Sequence, residues 1–220
     1  MWCLRKRVFS IFIGVICCLD HTFAKDELYF KSDTINGAIP IKSWKSLRDE
    51  RLVKQNLDYS CGSASIATIL SEFYGYPITE AEVLDLIGKQ DKASFSDMSK
   101  ALKEIGFKGV GYAASYEQLT KLKIPVIVYL SYRKDDHFSV LRGIDVNTVW
   151  LADSSLGNRT YSESQFKEMW ETRENTELAG KILAILPANI AAPSAIDFFT
   201  NQPQRQTSSA VNLQAIHYLP

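Results

Sequence analysis

Gln55-Asn56-Leu57-Asp58-Tyr59-Ser60-Cys61-Gly62-Ser63-Ala64-Ser65 is the stretch whose reading decides the fold. From Cys61 onward Ala64, Ile66, Ala67, Ile69, Leu70 and Phe73 are apolar, and Gly75 and Pro77 follow. Apolar residues at these spacings nearly encircle a helix. The sequence therefore predicts a buried central helix that begins at Cys61 and is stopped by Gly75 and Pro77. A thiol attacks as its thiolate, and the partial positive charge at a helix N-terminus favours that form. Cys61 stands at such a position. Gly62 removes bulk beside the sulfur, and it equally suits a tight turn into the helix.

The cysteine count points the same way. Cys3, Cys17 and Cys18 lie within residues 1–24, where Arg5, Lys6 and Arg7 precede the apolar run Val8–Leu19 and Thr22-Phe23-Ala24 supplies small residues. That layout is a secretory signal peptide cleaved after Ala24, and a run of this length falls short of the roughly 20 residues that span a bilayer. Cleavage leaves 196 residues in the periplasm with Cys61 as the remaining cysteine, so an internal disulfide is excluded. An unpaired thiol in an oxidising compartment is open to oxidation, which asks for a reason to keep it. Removing three basic residues and one acid takes the balance from 25 against 25 to 22 basic against 24 acidic. No basic stripe suggests nucleic acid. One cysteine and one core histidine cannot build a usual zinc site, so neither metal nor cofactor is expected.

Further along, Thr79 and Glu82 form a capping box ahead of Val83, Leu84, Leu86 and Ile87. A second helix is expected over 96–105, where Gly106 stops it, and a helical turn over 116–122. The texture then becomes β-branched. Strands are expected at 126–130, 138–144 and 148–152, with Asp145-Val146-Asn147 as a turn, and a last one at 181–186 after a short helix over 162–170. Helices first and a mostly antiparallel sheet second make an α+β domain over 25–187. From Ala188 to Pro220 the composition turns to Ala, Pro, Ser, Asn and Gln, which predicts a low-complexity, flexible tail.

The base that partners Cys61 should be a histidine. His21 lies in the signal segment and His217 in the tail, which leaves His137, at the mouth of a strand. Its ring needs an orienting carboxylate. If the turn centres near Asp145, Asp153 falls opposite His137 across the hairpin, whereas a one-residue slip would turn it to the other face. Asp135 and Asp136 read as loop-tip residues and Asp145 as part of the turn. The backbone N–H of Cys61 and the side-chain amide of Gln55 are candidate oxyanion donors.

Gln55 to Ser65, Asp136-His137-Phe138-Ser139-Val140-Leu141 and Val149-Trp150-Leu151-Ala152-Asp153-Ser154 together resemble the bacteriocin-processing cysteine peptidases. These are the double-glycine leader peptidases found at the front of peptide-exporting ABC transporters, and the match spans about residues 50–186. The resemblance implies a papain-like fold with Cys61 as nucleophile, His137 as base, Asp153 as orienting acid and Gln55 as oxyanion donor. In this family proline often follows the aspartate, where Ser154 stands here. Aspartate often precedes the cysteine in transporter-linked members, where Ser60 stands here. As a free-standing, exported member the chain resembles the protease-like component of bacterial functional-amyloid secretion systems, which implies a polypeptide substrate such as an amyloid subunit or an export-pore component. The expectation is an exported cysteine endopeptidase. Its rivals are the same triad acting on cell-wall peptide, and a non-proteolytic, chaperone-like peptide-binding module of a secretion system.

Overall fold

The computed structural model describes residues 27–31, 36–132, 135–188 and 193–205. The expected signal peptide over 1–24 lies outside the described residues. The chain divides into two units between Ser43 and Trp44. In the first, β1 (Glu27–Lys31) and β2 (Asn36–Pro40) pair antiparallel from Glu27↔Pro40 to Lys31↔Asn36.

The second unit begins with α1 (Trp44–Arg48) and then α2 (Cys61–Thr68), which runs on as a π-helical turn over Ile69–Phe73. Every residue of α2 is buried, as the apolar encirclement predicts. Gly75 adopts φ +61 just past the helix end. Next come α3 (Glu80–Ile87), α4 (Phe95–Glu104), β3 (Phe107–Ala114) and α5 (Tyr116–Thr120). Then follow β4 (Val126–Tyr132), β5 (Asp135–Ile144), β6 (Thr148–Asp153), β7 (Gly157–Ser162), α6 (Glu163–Trp170) and β8 (Gly180–Pro187). The strands make one antiparallel sheet in the order β3-β8-β4-β5-β6-β7. The fold is α+β and papain-like. No helix among the described residues is long and apolar enough to cross a membrane.

Each face of the sheet carries its own apolar layer. On one, Cys61, Ile66, Ile69 and Leu70 of the central helix pack with Phe138, Val140, Ala152 and Leu183. On the other, Phe166 and Trp170 of α6 pack with Leu119, Leu130, Leu141 and Leu151. The alternation of β5 thus sends Phe138 and Val140 toward the central helix and Leu141 toward α6.

Two features depart from the sequence reading. β3 and β7 complete the sheet although neither stands out in the sequence. The segment after Ala188, expected to be flexible, packs on the second unit over the part that is described. Ala195 N–H donates to the Phe73 carbonyl at 2.7 Å. Thr200 N–H donates to the Arg142 carbonyl and its own carbonyl accepts from Ile144 N–H, both at 3.1 Å. The physical reason is Phe198. It is fully buried beside Phe73, with the guanidinium groups of Arg51 and Arg142 5.1 and 4.6 Å from its ring centroid. Burying a phenylalanine stabilises by about 1.5–3 kcal/mol, enough to hold a short polar segment down.

Candidate active site

α3, α4, α5 and α6 each begin with a complete capping box, on Thr79, Ser94, Ser115 and Ser162. α2 does not. Its N-cap is Ser60, whose side chain makes no capping bond. The hydroxyl turns back instead, donating to the Leu57 carbonyl at 2.8 Å and accepting from Leu57 N–H at 3.2 Å. The first N–H groups of the helix are therefore left for the residue that opens it. Cys61, 2% exposed, receives hydrogen bonds from the backbone N–H groups of Gly62 and Phe138. Gly62 serves packing as well. A Cβ there would lie 2.2 Å from Met98 Cε and 3.5 Å from the Phe138 ring, so the bare glycine lets α4 close over the start of α2.

The imidazole of His137 is fixed by Asp153. Nε2 lies 2.8 Å from Asp153 Oδ2, and the carboxylate is itself pinned, because Oδ1 accepts from Ser155 N–H at 2.9 Å and Leu156 N–H at 2.8 Å. This turn closes on Gly157, whose φ of +87 suits glycine and whose missing Cβ makes room for the Arg48 backbone. With Nε2 engaged, Nδ1 is the ring nitrogen left for the sulfur, and His137 does hydrogen-bond Cys61. Asp135 pairs with Lys92. Asp136 accepts from the Tyr129 hydroxyl, and Asp145 accepts two N–H bonds within its own turn.

Burial alone would push the Cys61 thiol up. The His137 hydrogen bond and charge and the two N–H donors outweigh it, and the pKa lies below the ordinary thiol value. Burial likewise works against a charged imidazole, but Asp153 and Cys61 raise His137 to about 10. Asp153 is held below the ordinary carboxylate value despite its burial, chiefly by His137. The three shifts point the same way, toward a thiolate beside an imidazolium beside a carboxylate.

Asp153 reaches His137 by a register different from the expected one. Near the turn Ile144 pairs with Val149 and Gly143 with Trp150. Beyond a bulge the pairs are Leu141↔Leu151 and Val140↔Ala152. Asp153 therefore sits diagonal to His137, two residues off the direct pairing. An even slip keeps a side chain on the same face, so contact survives. The bulge is essential to that outcome. Had the register near the turn continued unbroken, His137 and Asp153 would point to opposite faces. Arg142 is the residue absorbed. Its guanidinium lies 4.2 Å from the Trp150 ring centroid and donates to Asn158 Oδ1 at 3.1 Å.

Gln55 stands between the two halves of the site. Its N–H donates to the Ser154 carbonyl at 3.2 Å, and its side chain spans from Ser154 Oγ, 2.9 Å from Oε1, to the Leu57 carbonyl, 3.0 Å from Nε2. A pocket of about 160 Å³ opens beside His137 and Asp153, walled by Leu130, Leu156, Tyr161 and Met169. Among the described residues no cluster of histidine, cysteine or carboxylate side chains is placed to hold a metal ion. Sequence reading did not find Ser154, the Leu57 carbonyl, the Phe138 N–H or Arg142 as parts of this arrangement. Three of them act through backbone atoms or a register change. Ser154 was signalled only as a departure from a pattern.

The peptidase C39 family model matches residues 49–174, more than half of the chain and the whole of this arrangement. The chain belongs to the peptidase C39 family. Within this family it is similar to the probable functional amyloid protease FapD of Pseudomonas aeruginosa, with 34% identity over 172 residues, 73% of this chain and 76% of that protein. It is also similar to the lactococcin-G-processing and transport ATP-binding protein LagD of Lactococcus lactis, with 28% identity over 125 residues, 55% of this chain and 18% of that protein. In fold it resembles the peptidase domain of the Streptococcus ABC transporter ComA, with a TM-score of 0.53 at 21% identity, covering 62% of this chain and 98% of that one. A double glycine motif protease from a PCAT transporter, solved with its leader peptide, matches with a TM-score of 0.52 at 23% identity, over 62% of this chain and 91% of that one. This C39 protein is a cysteine peptidase.

Proposed function

We propose that this C39 peptidase cleaves an exported polypeptide in the periplasm by a Cys61–His137–Asp153 mechanism. The substrate lies on a functional-amyloid export route, as a subunit or a pore component. The observation that carries the mechanism is the Nε2–Oδ2 contact of 2.8 Å, which orients His137 so that its other nitrogen meets the sulfur. The amyloid route rests on the likeness to FapD. The periplasmic setting rests on the signal-peptide pattern of residues 1–24.

With the proton already on His137, the Cys61 thiolate attacks the scissile carbonyl carbon and a C–S bond forms. The carbonyl oxygen becomes an oxyanion, held by the Cys61 N–H and the Gln55 amide. As it collapses the C–N bond breaks, and the imidazolium gives its proton to the leaving amine. Neutral His137 next takes a proton from water. The hydroxide adds to the thioester, the C–S bond breaks, and thiolate and imidazolium are restored. Asp153 stays ionised throughout and holds the ring.

The test is the pH dependence of Cys61 alkylation by iodoacetamide in the full chain, located by peptide mass mapping, beside His137→Ala. Labelling of the wild type at pH values where a free thiol of pKa about 8.5 is protonated, lost in the variant, supports the pair. A Cys61 that ignores His137 favours the peptide-binding module instead. Incubation with purified amyloid subunits and pore components then reads the substrate by N-terminal sequencing of fragments.

A further inference from the structure

We propose that Ser154 is a positioning residue for the oxyanion donor, its hydroxyl setting the orientation of the Gln55 amide. The inference rests on the peptidase reading above and deepens it. A glutamine amide can face two ways, and a carbonyl decides between them because it only accepts. Leu57 O lies 3.0 Å from one end of the Gln55 amide, so that end is the nitrogen. The other end is then the oxygen, and the Ser154 hydroxyl 2.9 Å away donates to it. One amide hydrogen is committed to Leu57, and one remains for a developing oxyanion.

The two anchors belong to the two halves of the site. Ser154 directly follows Asp153. The Leu57 carbonyl also accepts from both the N–H and the hydroxyl of Ser60, the residue before Cys61, at 3.1 and 2.8 Å. Gln55 is thus strung between the neighbour of the acid and the neighbour of the nucleophile. Ser154 is 2% exposed, so water does not readily replace its hydroxyl. Without that hydroxyl the amide keeps a single anchor and turns about it, and its free N–H leaves the direction in which charge develops. The backbone bond from Gln55 N–H to the Ser154 carbonyl does not depend on the side chain, so the loop keeps its path when the hydroxyl is removed.

Two reagents separate this role from a structural one. Iodoacetamide loses iodide to Cys61 at a saturated carbon and makes no oxyanion. With p-nitrophenyl acetate the thiolate adds to a carbonyl, an oxyanion forms, a C–S bond replaces the C–O bond, and p-nitrophenolate leaves. Both labels are read at Cys61 by peptide mass mapping of the full chain, for wild type, Ser154→Ala, Ser154→Thr, Gln55→Ala and the Gln55→Ala/Ser154→Ala double variant. Loss of one oxyanion donor costs about 10²–10³-fold in such sites, so a misaimed donor is expected to cost about tenfold. The expected result is acetylation of Ser154→Ala slowed about tenfold with alkylation and its pH profile unchanged. Ser154→Thr recovers acetylation, and the double variant is no slower than Gln55→Ala. Acetylation of Ser154→Ala at the wild-type rate overturns the proposal. So does an equal fall in both reactions, or a double variant slower than Gln55→Ala by the full Ser154→Ala factor. A wild-type Cys61 no more reactive than a free thiol toward either reagent sinks the peptidase reading itself, and the proposal with it, before any Ser154 variant is compared.

Discussion

The start of α2 and the start of α4 solve the same problem in opposite ways. At α4 the Ser94 hydroxyl accepts from Asp97 N–H and the Asp97 carboxylate accepts from Ser94 N–H, so two N–H groups of the helix start are satisfied by side chains. At α2 the corresponding hydroxyl is turned away to Leu57, and a sulfur occupies the place of the cap. The capped end is stabilised by hydrogen bonds and stays in solvent. The uncapped one is held by packing against Met98 and Phe138, and its unspent donors are available to a charge. A helix N-terminus becomes a reactive site when the chain withholds the cap and supplies rigidity by another route.

The strongest test of this contrast is His137→Ala. If the helix end alone activated Cys61, the variant would keep its thiolate. We expect instead a loss of turnover of at least about 10³-fold, because burial, the largest influence on this thiol, then goes unopposed by an imidazolium. Asp153→Asn comes next, at about 10²-fold in kcat, the lower end of what a positioned acid–base group contributes. The amide still accepts from Ser155 and Leu156 N–H, so the turn keeps its path, while the ring loses its carboxylate and the protein loses the stability that this buried pair supplies.

The pH profile of kcat/KM sharpens the comparison further. The thiol is lowered, so the acid limb falls below the ordinary thiol range. His137 is raised, so the alkaline limb lies near 10, where the imidazolium is lost. In stability the same signs apply. The His137 contribution is complete below its ordinary pKa and is lost as pH rises through about 10. The Asp153 contribution is present above the ordinary carboxylate value and is lost as pH falls through its lowered one. Gly62→Ala should destabilise by about 1–3 kcal/mol in urea unfolding, since Met98 must shift to admit the methyl. A smaller change is expected at the capped end. Ser94→Ala should cost about 1 kcal/mol and leave the alkylation rate of Cys61 untouched. A Ser94 variant that slowed alkylation would show that the two helix starts are coupled.

The central helix, its start at Cys61 and the strand that brings His137 were legible because apolar periodicity is strong there and one cysteine and one core histidine were left to consider. β3 was hidden by Gly109, Gly111 and Lys108, which dilute the strand signal in a segment whose Gly109 admits Leu102 and Ser99 of α4. β7 reads Gly-Asn-Arg-Thr-Tyr-Ser, the polar composition of an edge strand. The bulge at Arg142 was out of reach, since it depends on Trp150, Asn158 and Thr200, which only the fold brings together. Composition concealed the anchoring of residues 195–200, because a single Phe198 outweighs the polar residues around it.

The bulge gives the β5–β6 hairpin one residue more than its pairing requires. A relative lacking one residue between His137 and Gly143 would straighten the strand rather than displace the acid, and the base would still face its carboxylate. A relative with one residue more would have to find a second bulge or lose the contact. The sixteen-residue interval between His137 and Asp153 is therefore asymmetric in its tolerance, forgiving of a deletion and intolerant of an insertion.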